Sequence, residues 1–255
     1  MTNLNYWIEE TDKVWIKVPS IAADSISTLT IKKEAGYSPD GFNTLDFFDD
    51  FEDSLDNWTF SGNANWYLGT QLVYDGTYSA HSGTITHNQI TRMIGTFDIQ
   101  RASTLKFHWR VSSEGNFDYL LYAVDNTNLT RTSGYNSRID GTPGWAQISH
   151  NLNTIKEYSV TFAYAKDGSV DRNNDRGYVD NLFVVPQDKD GVVSTVVSDK
   201  GDYYELEITN NTANKLENYL VGVDATNLGT VANDESLKIP GPIISPFPSF
   251  RRRTT

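Results

Sequence analysis

Short segments in which apolar and polar residues alternate recur along the chain, and they constrain the fold more than any other feature of the sequence. The clearest is Ser103–Ser113, where Leu105, Phe107, Trp109 and Val111 fall on one side. Alternation with a period of two places successive side chains on opposite faces of a β-strand. Turn signals such as Asp–Gly and Pro–Gly separate the segments, and no convincing amphipathic helix is found. The sequence therefore predicts an all-β fold built from an antiparallel sandwich or jelly roll.

Two segments of this region combine apolar residues with carboxylates. Phe47–Trp58 reads FFDDFEDSLDNW, and Gly177–Pro186 is an apolar strand with Asp180 in its middle. We interpret them as the first and last strands of one sandwich. Carboxylates that lie close together repel unless a cation or solvent intervenes. We therefore predict a hard cation between Glu52 and Asp180, and the alternative is that both are solvated acids at the edge of the sandwich.

Charge and composition limit the classes of partner. The chain has 33 acidic and 21 basic residues, a net charge of −12 and no cysteine. Nucleic-acid binders need a basic face to neutralise phosphates, so we predict no nucleic-acid partner. No apolar run approaches membrane-spanning length, which predicts no membrane insertion. The N-terminus has no signal-peptide pattern, so we expect either a virion protein released by lysis or a piece of a longer secreted chain.

Composition also divides the chain. We predict that residues 1–46 and 187–240 are two parts of a split β domain and that residues 47–186 form the jelly roll. Residues 241–255 hold three prolines and end in three arginines before two threonines, which is typical of an extended arm. We expect this arm to dock on an identical subunit rather than join a core.

Residues 47–184 resemble the MAM-like (meprin-type) and related carbohydrate-binding-like jelly-roll modules of secreted and surface proteins. The resemblance rests on FFDDFEDSLDNWTFSGNANW, GTYSAHSG, STLKFHWRVSSEGNFDYL, GTPGWAQISHNL and VTFAYAKDGSVDRNNDRGYVDNLFV. It implies a two-sheet antiparallel sandwich with one structural calcium where the first and last strands meet. The implied calcium ligands are Glu52 and Asp180, with Asp50 and a carbonyl near Thr77 as weaker candidates.

The flanks resemble the two halves of an uncharacterised concanavalin-like domain, in swapped order. That domain is found in archaeal and bacterial surface proteins and in viruses of such hosts. The segment NLNYWIEETDKVWIKVPSIAADSISTLTIKKEAGYSPDG is similar to its second half, and YYELEITNNTANKLENYLVGVDATN with ESLKI is similar to its first half. The two flanks could pair with each other or with a neighbouring molecule by strand addition. We favour pairing within the chain, because it avoids the loss of translational freedom.

Several aromatic and polar residues beside loops are candidates for a shallow sugar site. They are Trp66, Tyr67, Tyr135, Asn136 and Arg138. Residues of this kind more often have a structural role than a ligand-binding one. Trp109 and Trp145 are assigned to the core. The loop Asp167–Asp175 has a D-x-N-x-D pattern similar to a calcium loop, but it lacks the glycine and glutamate of an EF-hand, and a flexible polar loop is favoured.

These features favour a binding protein over an enzyme, since the sequence shows no catalytic motif. The leading hypothesis is a non-enzymatic extracellular or virion-surface protein. It would bind cell-surface glycans or other surface polymers in adhesion or receptor recognition. The first alternative is a structural virion or filament subunit that assembles through its flanks and its arm. A module of a polysaccharide-degrading enzyme, or a weak hydrolase, is the second.

Overall fold

A computed structural model describes residues 3–10, 13–187, 192–229, 236–241 and 243–245. The chain divides into two compact units, one formed by Met1–Leu45 together with Gln187–Thr255 and the other by Asp46–Pro186. The boundaries predicted from the sequence fall after residues 46 and 186.

The described residues form nineteen strands and one short helix. In chain order these are β1 (Tyr6–Glu9), β2 (Lys13–Ile21), β3 (Ser25–Lys33), α1 (Gly41–Thr44), β4 (Phe47–Asp49), β5 (Thr59–Gly62), β6 (Tyr67–Gly69), β7 (Ser79–His81), β8 (Ile90–Asp98), β9 (Ser103–Ser112), β10 (Tyr119–Val124), β11 (Ser137–Asp140), β12 (Ala146–Leu152), β13 (Glu157–Ala165), β14 (Arg176–Pro186), β15 (Val192–Asp199), β16 (Tyr204–Asn210), β17 (Leu216–Asp224), β18 (Leu237–Lys238) and β19 (Ile243–Ser245).

The unit Asp46–Pro186 is a sandwich of two antiparallel sheets. The five-stranded sheet has the order β11-β10-β13-β8-β5, and the six-stranded sheet has the order β12-β9-β14-β7-β6, with β4 beside β14. Alternating residues of facing strands fill the space between the sheets, as the sequence pattern predicts. Large rings dominate this core, including those of Trp58, Phe107, Trp109 and Phe162.

The first and last strands of this sandwich pair directly. Val184 lies opposite Phe47 and Leu182 opposite Asp49, so β4 and β14 run side by side and antiparallel. A bulge interrupts β14 between Asp180 and Phe183. Within the bulge Asn181 has a φ of 45°, a left-handed conformation that asparagine tolerates better than most residues.

The other unit contains strands from both flanks. Strand β2 pairs with β17, and β3 pairs with β16, so sequence-distant residues such as Ile31 and Tyr204 lie opposite each other. The sheets β1-β2-β17 and β15-β16-β3-β18 enclose a core that includes Ile16, Leu29 and Val221. The predicted fold class, an all-β sandwich with a smaller split sandwich formed by the flanks, is confirmed. Pairing takes place within one chain.

The arm predicted for residues 241–255 needs a correction at its start. Ile243–Ser245 is not a free extension but pairs with β3, opposite Ile26–Thr28. The physical reason is that β16 covers only one edge of β3, and the other edge presents backbone groups that a further strand can satisfy. Residue 242 and residues 246–255, which include the three arginines, lie outside the described residues.

Candidate functional site

One loop of the sandwich is held by two carboxylates at neighbouring positions. This β6–β7 loop (residues 70–78) meets Asp180, whose Oδ2 accepts hydrogen bonds from the backbone N–H of Tyr74 (2.8 Å) and of Asp75 (3.3 Å). The other oxygen, Oδ1, accepts from the N–H of Asn181 at 2.8 Å. Burial raises the pKa of Asp180 to about 7, although the three N–H donors act in the opposite direction.

Glu52 holds the far end of the same loop. Its Oε1 accepts from the N–H groups of Thr77 and Tyr78, each at 2.8 Å. Gly76 lies between these contacts with a φ of 70°, and a Cβ atom there would lie 2.4 Å from Glu52 Oε1. Glycine is therefore required for the close approach. The structure thus brings Glu52 and Asp180 to one segment, Tyr74–Tyr78.

The carboxylate oxygens near this loop are of the chemical type that a hard cation prefers. Carboxylate oxygens are the ligands that calcium prefers, and Asp50 lies beside Glu52, whose N–H it accepts at 3.2 Å. Among the described residues, Glu52 Oε2 forms no hydrogen bond, which leaves one oxygen available. However, Thr77 presents its N–H to Glu52, and the described part of the chain holds no group of three or more Asp, Glu or His side chains placed to share a metal ion.

Asp49, the first acid of Phe47–Trp58, lies inside the sandwich rather than at its surface. It is buried, its Oδ2 accepts from Trp58 Nε1 at 2.6 Å, and its Oδ1 accepts from the N–H of Phe51 at 2.8 Å. Burial raises the pKa of Asp49 to about 6. This carboxylate anchors the core tryptophan rather than facing a cation at the surface.

The β6–β7 loop also covers His108 on the outer face of the six-stranded sheet. The alternation of β9 predicts that His108 faces solvent, but the ring of Tyr74 stacks on it with centroids 3.6 Å apart and an interplanar angle of 10°. Trp145, which the sequence analysis assigns to the core, is instead half-buried on this outer face, and its ring meets that of Tyr74 edge-on with centroids 6.0 Å apart. His108 points away from the core, as predicted. It is buried rather than exposed to solvent, because the β6–β7 loop covers it.

A second loop covers part of the outer face of the five-stranded sheet. This β10–β11 loop (residues 125–136) inserts the fully buried Leu129 among outward residues of β10 and β13, including Leu121 and Ala163. The loop is stiffened by its own hydrogen bonds, such as Asn126 Nδ2 to the carbonyl of Gly134 at 2.8 Å.

Three predicted ligand-binding residues lie together where this loop enters β11. The guanidinium carbon of Arg138 is 4.0 Å from the ring centroid of Tyr119 and 5.1 Å from that of Tyr135. Asn136 accepts the N–H of Val124 at 2.7 Å through its side-chain oxygen. Tyr119 is not among the residues predicted from the sequence, because its contribution depends on the pairing of β10 with β11.

The other two predicted ligand-binding residues do not join them. Trp66 is buried in the core, which corrects the expectation that it borders a loop surface; the reason is that its side chain points between the sheets. Tyr67 is 41% exposed, and the guanidinium carbon of Arg176 lies 5.1 Å from its ring centroid. Strand β6 is an edge strand of the six-stranded sheet, whereas β11 borders the five-stranded sheet.

The loop Asp167–Asp175 is organised by an internal cation. Lys166 Nζ lies 3.3 Å from Asp118 Oδ2 and 2.9 Å from Asp171 Oδ1, and it also contacts Asp175 Oδ2. Burial lowers the pKa of Lys166, but hydrogen bonds to Asp175 and Asp171 outweigh this effect, and the pKa lies above its ordinary value. Acids that resemble a calcium loop in sequence are therefore held by an ammonium group.

His81 supports a prediction about acid stability. It is 1% exposed, its Nε2 lies 3.0 Å from Ser79 Oγ, and burial lowers its pKa to about 4 from an ordinary 6.5. The unfolded chain therefore takes up a proton at this residue between pH 6.5 and pH 4, and the folded protein does not. The contribution of the neutral imidazole to the free energy of unfolding is fully present above pH 6.5. It is lost as the pH falls from 6.5 to 4, and the loss is about 3 kcal/mol at most.

We expect His81→Gln to reduce the difference between the free energies of unfolding at pH 7 and pH 4. Urea denaturation at both pH values measures this, with His87→Gln as the control, since the His87 side chain is 44% exposed. An unchanged difference in the His81 variant would contradict the prediction.

Comparisons with known proteins give the following matches. A family model described as "Domain of unknown function (DUF2341)" matches residues 1–68, and no curated protein matches the chain. Among the described residues, no helix has the length and apolar character needed to cross a membrane.

Several solved structures are similar to part of the chain. The module TmCBM61 in complex with β-1,4-galactotriose is 10% identical, with 52% of this chain and 91% of that chain covered and a TM-score of 0.37. The K3 cleaved adhesin domain of Lys-gingipain from Porphyromonas gingivalis is 12% identical (55% and 97% covered, TM-score 0.40). The C-terminal family 22 carbohydrate-binding module of Clostridium thermocellum Xyn10B is 16% identical (58% and 97% covered, TM-score 0.40). At these identities and TM-scores the likeness carries no argument about ligand or activity.

Proposed function

We propose that this protein is a non-enzymatic glycan-binding protein of an extracellular or virion surface, and that its sandwich binds sugar at the edge formed by β11. The observation that carries the proposal is the cluster of Tyr119, Arg138 and Tyr135, with the exposed Asn136 beside it. Tyr119 is buried and supports the Arg138 guanidinium, whereas Tyr135 is partly exposed. An exposed aromatic ring offers a face on which the C–H groups of a sugar ring pack, and a guanidinium and an amide offer directed donors and an acceptor.

The cluster is held in place before any ligand arrives. Arg138 Nη1 donates to the carbonyl of Arg131 at 3.2 Å, and Asn136 is fixed by the N–H of Val124. Side chains that are already ordered lose little conformational entropy on binding, so weak contacts with a sugar are not cancelled by that cost.

A glycan array tests this function, with Tyr135→Ala as the binding variant and Tyr67→Ala as a matched control from the other sheet. We expect the native protein and the Tyr67 variant to bind the same glycans, and the Tyr135 variant to lose them. Absence of glycan binding by the native protein contradicts the proposal. Loss in the Tyr67 variant alone would move the site to β6.

We also propose that calcium binds at Glu52, Asp180, Asp50 and the carbonyl of Thr77, where it would stiffen the junction between the first and last strands of the sandwich. The observation in favour is that Glu52 and Asp180 both accept backbone N–H groups of one loop. Modules of surface proteins bind calcium in the range of roughly 0.1–1 mM.

We expect calcium at about 10 mM to raise the unfolding temperature by a few degrees, since a ligand about tenfold above its dissociation constant stabilises by about 1.4 kcal/mol. Differential scanning calorimetry with calcium and with a chelator measures the shift. Glu52→Gln should abolish it. An equal shift with magnesium, or in the variant, would contradict specific binding.

Assembly through the arm stays a prediction, because residues 246–255 lie outside the described part of the chain. Size-exclusion chromatography of the chain lacking residues 246–255 tests it and leaves β19 intact. A full-length oligomer that becomes a monomer on truncation would favour a structural virion or filament subunit over a glycan-binding surface protein.

A further inference from the structure

Two arginines share one row across the outer face of the five-stranded sheet. The strand registers place Arg92 opposite Ala163, Ala163 opposite Leu121, and Leu121 opposite Arg138. Residues directly opposite in antiparallel strands point to the same face. Three strand spacings separate the two arginines, so their Cα atoms lie about 14 Å apart. Ser61 on β5 extends the row beyond Arg92.

Both arginines contact the β10–β11 loop, which lies between them. Arg92 Nη2 donates to the carbonyl of Leu129 at 2.5 Å, and Arg138 Nη1 donates to that of Arg131. Arg131 in turn donates through Nη1 to the carbonyl of Phe117 at 3.1 Å. Each guanidinium therefore uses one of its several N–H donors on a neutral carbonyl and keeps the others.

None of these three arginines forms an ion pair with a carboxylate of the described residues. This is unexpected in a chain of net charge −12, because carboxylates are abundant. Other basic side chains of the same unit do pair: Lys156 with Asp125, and Lys166 with Asp118. The nearest acid in the sheet pattern is Asp140, which lies in the next row of β11, opposite Tyr119.

Polar atoms beside Arg92 lack partners within the described structure. Thr161 is fully buried, and its Oγ1 has no hydrogen-bond partner. The Nε atom of Arg92 is also buried and has no hydrogen-bond partner. Thr161 belongs to the adjacent row of the same face, opposite Ile94. Burial lowers the pKa of Arg92, as expected for a guanidinium that has lost water without gaining an anion. A buried donor without a partner is costly, so this site favours a ligand that supplies acceptors.

The face remains open on the side of β5 and β8. Ser61 and Thr96 are exposed there, and Arg92 is half-buried at the border between this open side and the β10–β11 loop. A ligand that approaches from the open side meets hydroxyl groups first and the guanidinium next. Hydroxyls and a fork of N–H donors are complementary to a sugar ring that carries a carboxylate, because an arginine can bind a carboxylate through two parallel hydrogen bonds.

We propose that the arginine row, Arg92 and Arg138 with Arg131, binds a glycan that carries carboxylate groups, such as a polyuronate. This inference rests on the proposed glycan-binding function and names the class of sugar. The two row arginines lie on either side of the β10–β11 loop, so each offers a separate position for a carboxylate. The net negative charge of the protein opposes polyanions in general, so binding depends on this local cluster and weakens as salt screens it.

Isothermal titration calorimetry of the full chain with three polysaccharides of similar length tests the proposal. They are polygalacturonate, a neutral galactan, and a sulfated galactan. The variants are Arg92→Gln and Arg138→Gln, and the control is Arg176→Gln, which removes an arginine of the other sheet. Circular dichroism and thermal unfolding of each variant report whether the β10–β11 loop and the fold are retained.

We expect polygalacturonate to bind more tightly than neutral galactan, and each row variant to bind it at least about tenfold more weakly, as for the loss of a charge-assisted hydrogen bond. The Arg176 variant should match the native protein. Added salt should weaken binding in the native protein more than in the row variants.

Other outcomes overturn the inference in distinguishable ways. Binding of neutral galactan without preference for polygalacturonate overturns the acidic-glycan assignment and leaves the glycan-binding function standing. No binding to any polysaccharide contradicts both. Preference for the sulfated chain alone overturns the carboxylate assignment. Equal loss of neutral and acidic binding together with a lowered unfolding temperature shows that the arginines only anchor the loop.

Discussion

Replacing Lys166 by methionine should lower the free energy of unfolding by about 3–5 kcal/mol, the cost typical of breaking a buried ion pair by removing one partner. The side chains of Lys166 and Asp118 are both fully buried, and Asp175 is only 17% exposed. Without the ammonium group, Asp118 must take up a proton or remain as an uncompensated buried charge. Domains are typically stable by only about 5–15 kcal/mol, so the loss is a large part of the total.

Urea denaturation at pH 7 measures this effect, and the chain offers a matched control. Lys156 pairs with Asp125 at the surface, with a side chain that is 45% exposed, so Lys156→Met should cost far less than Lys166→Met, because water and salt screen an exposed ion pair. Adding Asp118→Leu to the Lys166 variant should recover part of the stability, because it removes the unpaired charge. Similar losses for the two lysine variants would mean that the buried cluster does not act as a cation site.

Asp180→Ala should have the second-largest effect, because it removes the acceptor of three backbone N–H groups at once. Those of Tyr74 and Asp75 fix the β6–β7 loop, and that of Asn181 fixes the bulge in β14. The N–H groups left without an acceptor can bind water if the loop moves away from the sheet, which reduces the cost of the substitution. We therefore expect the free energy of unfolding to fall by about 2–4 kcal/mol. The loop should also become open to proteases, since Asp180 provides its inner attachment.

Limited proteolysis followed by mass spectrometry measures this opening, with thermal unfolding in parallel. New cleavage between residues 70 and 78 in Asp180→Ala, at a temperature where the rest of the sandwich remains intact, is the expected result. Asp140→Ala is the control, because Asp140 is a partly exposed acid on the other sheet. Cleavage spread evenly over the chain would instead indicate global unfolding, and no new cleavage would show that the loop is held by other contacts.

Strands with strict alternation of apolar and polar residues could be predicted from the sequence, because this pattern lies within each strand itself. In β9 and β13 every second residue is apolar, and these residues form the centre of the core. The pairing of β4 with β14 could also be predicted, because two apolar segments with acids mark the ends of one sandwich. In contrast, β11 reads SRID, which has no periodicity to detect, and it was missed.

The candidate site was only partly predictable, because its contacts join residues far apart in the chain. Adjacency to a loop suggested exposure for Trp66, but strand alternation turns its ring inward. The alternation in β9 gave the correct direction for His108 and could not reveal that Tyr74 would cover it. The arginine row exists only through the registers of four paired strands, which no local pattern in the sequence specifies.

The pairing of β3 with β16 has a consequence for how the chain matures during synthesis. Residues 25–31 leave the ribosome early, but their partners at 204–210 follow only after the whole sandwich Asp46–Pro186 has been translated. The inserted sandwich, whose contacts are closer in sequence, can fold during this interval, whereas the N-terminal strands wait with open edges. Nascent chains stalled before residue 204 should therefore be the form of this protein most dependent on chaperones.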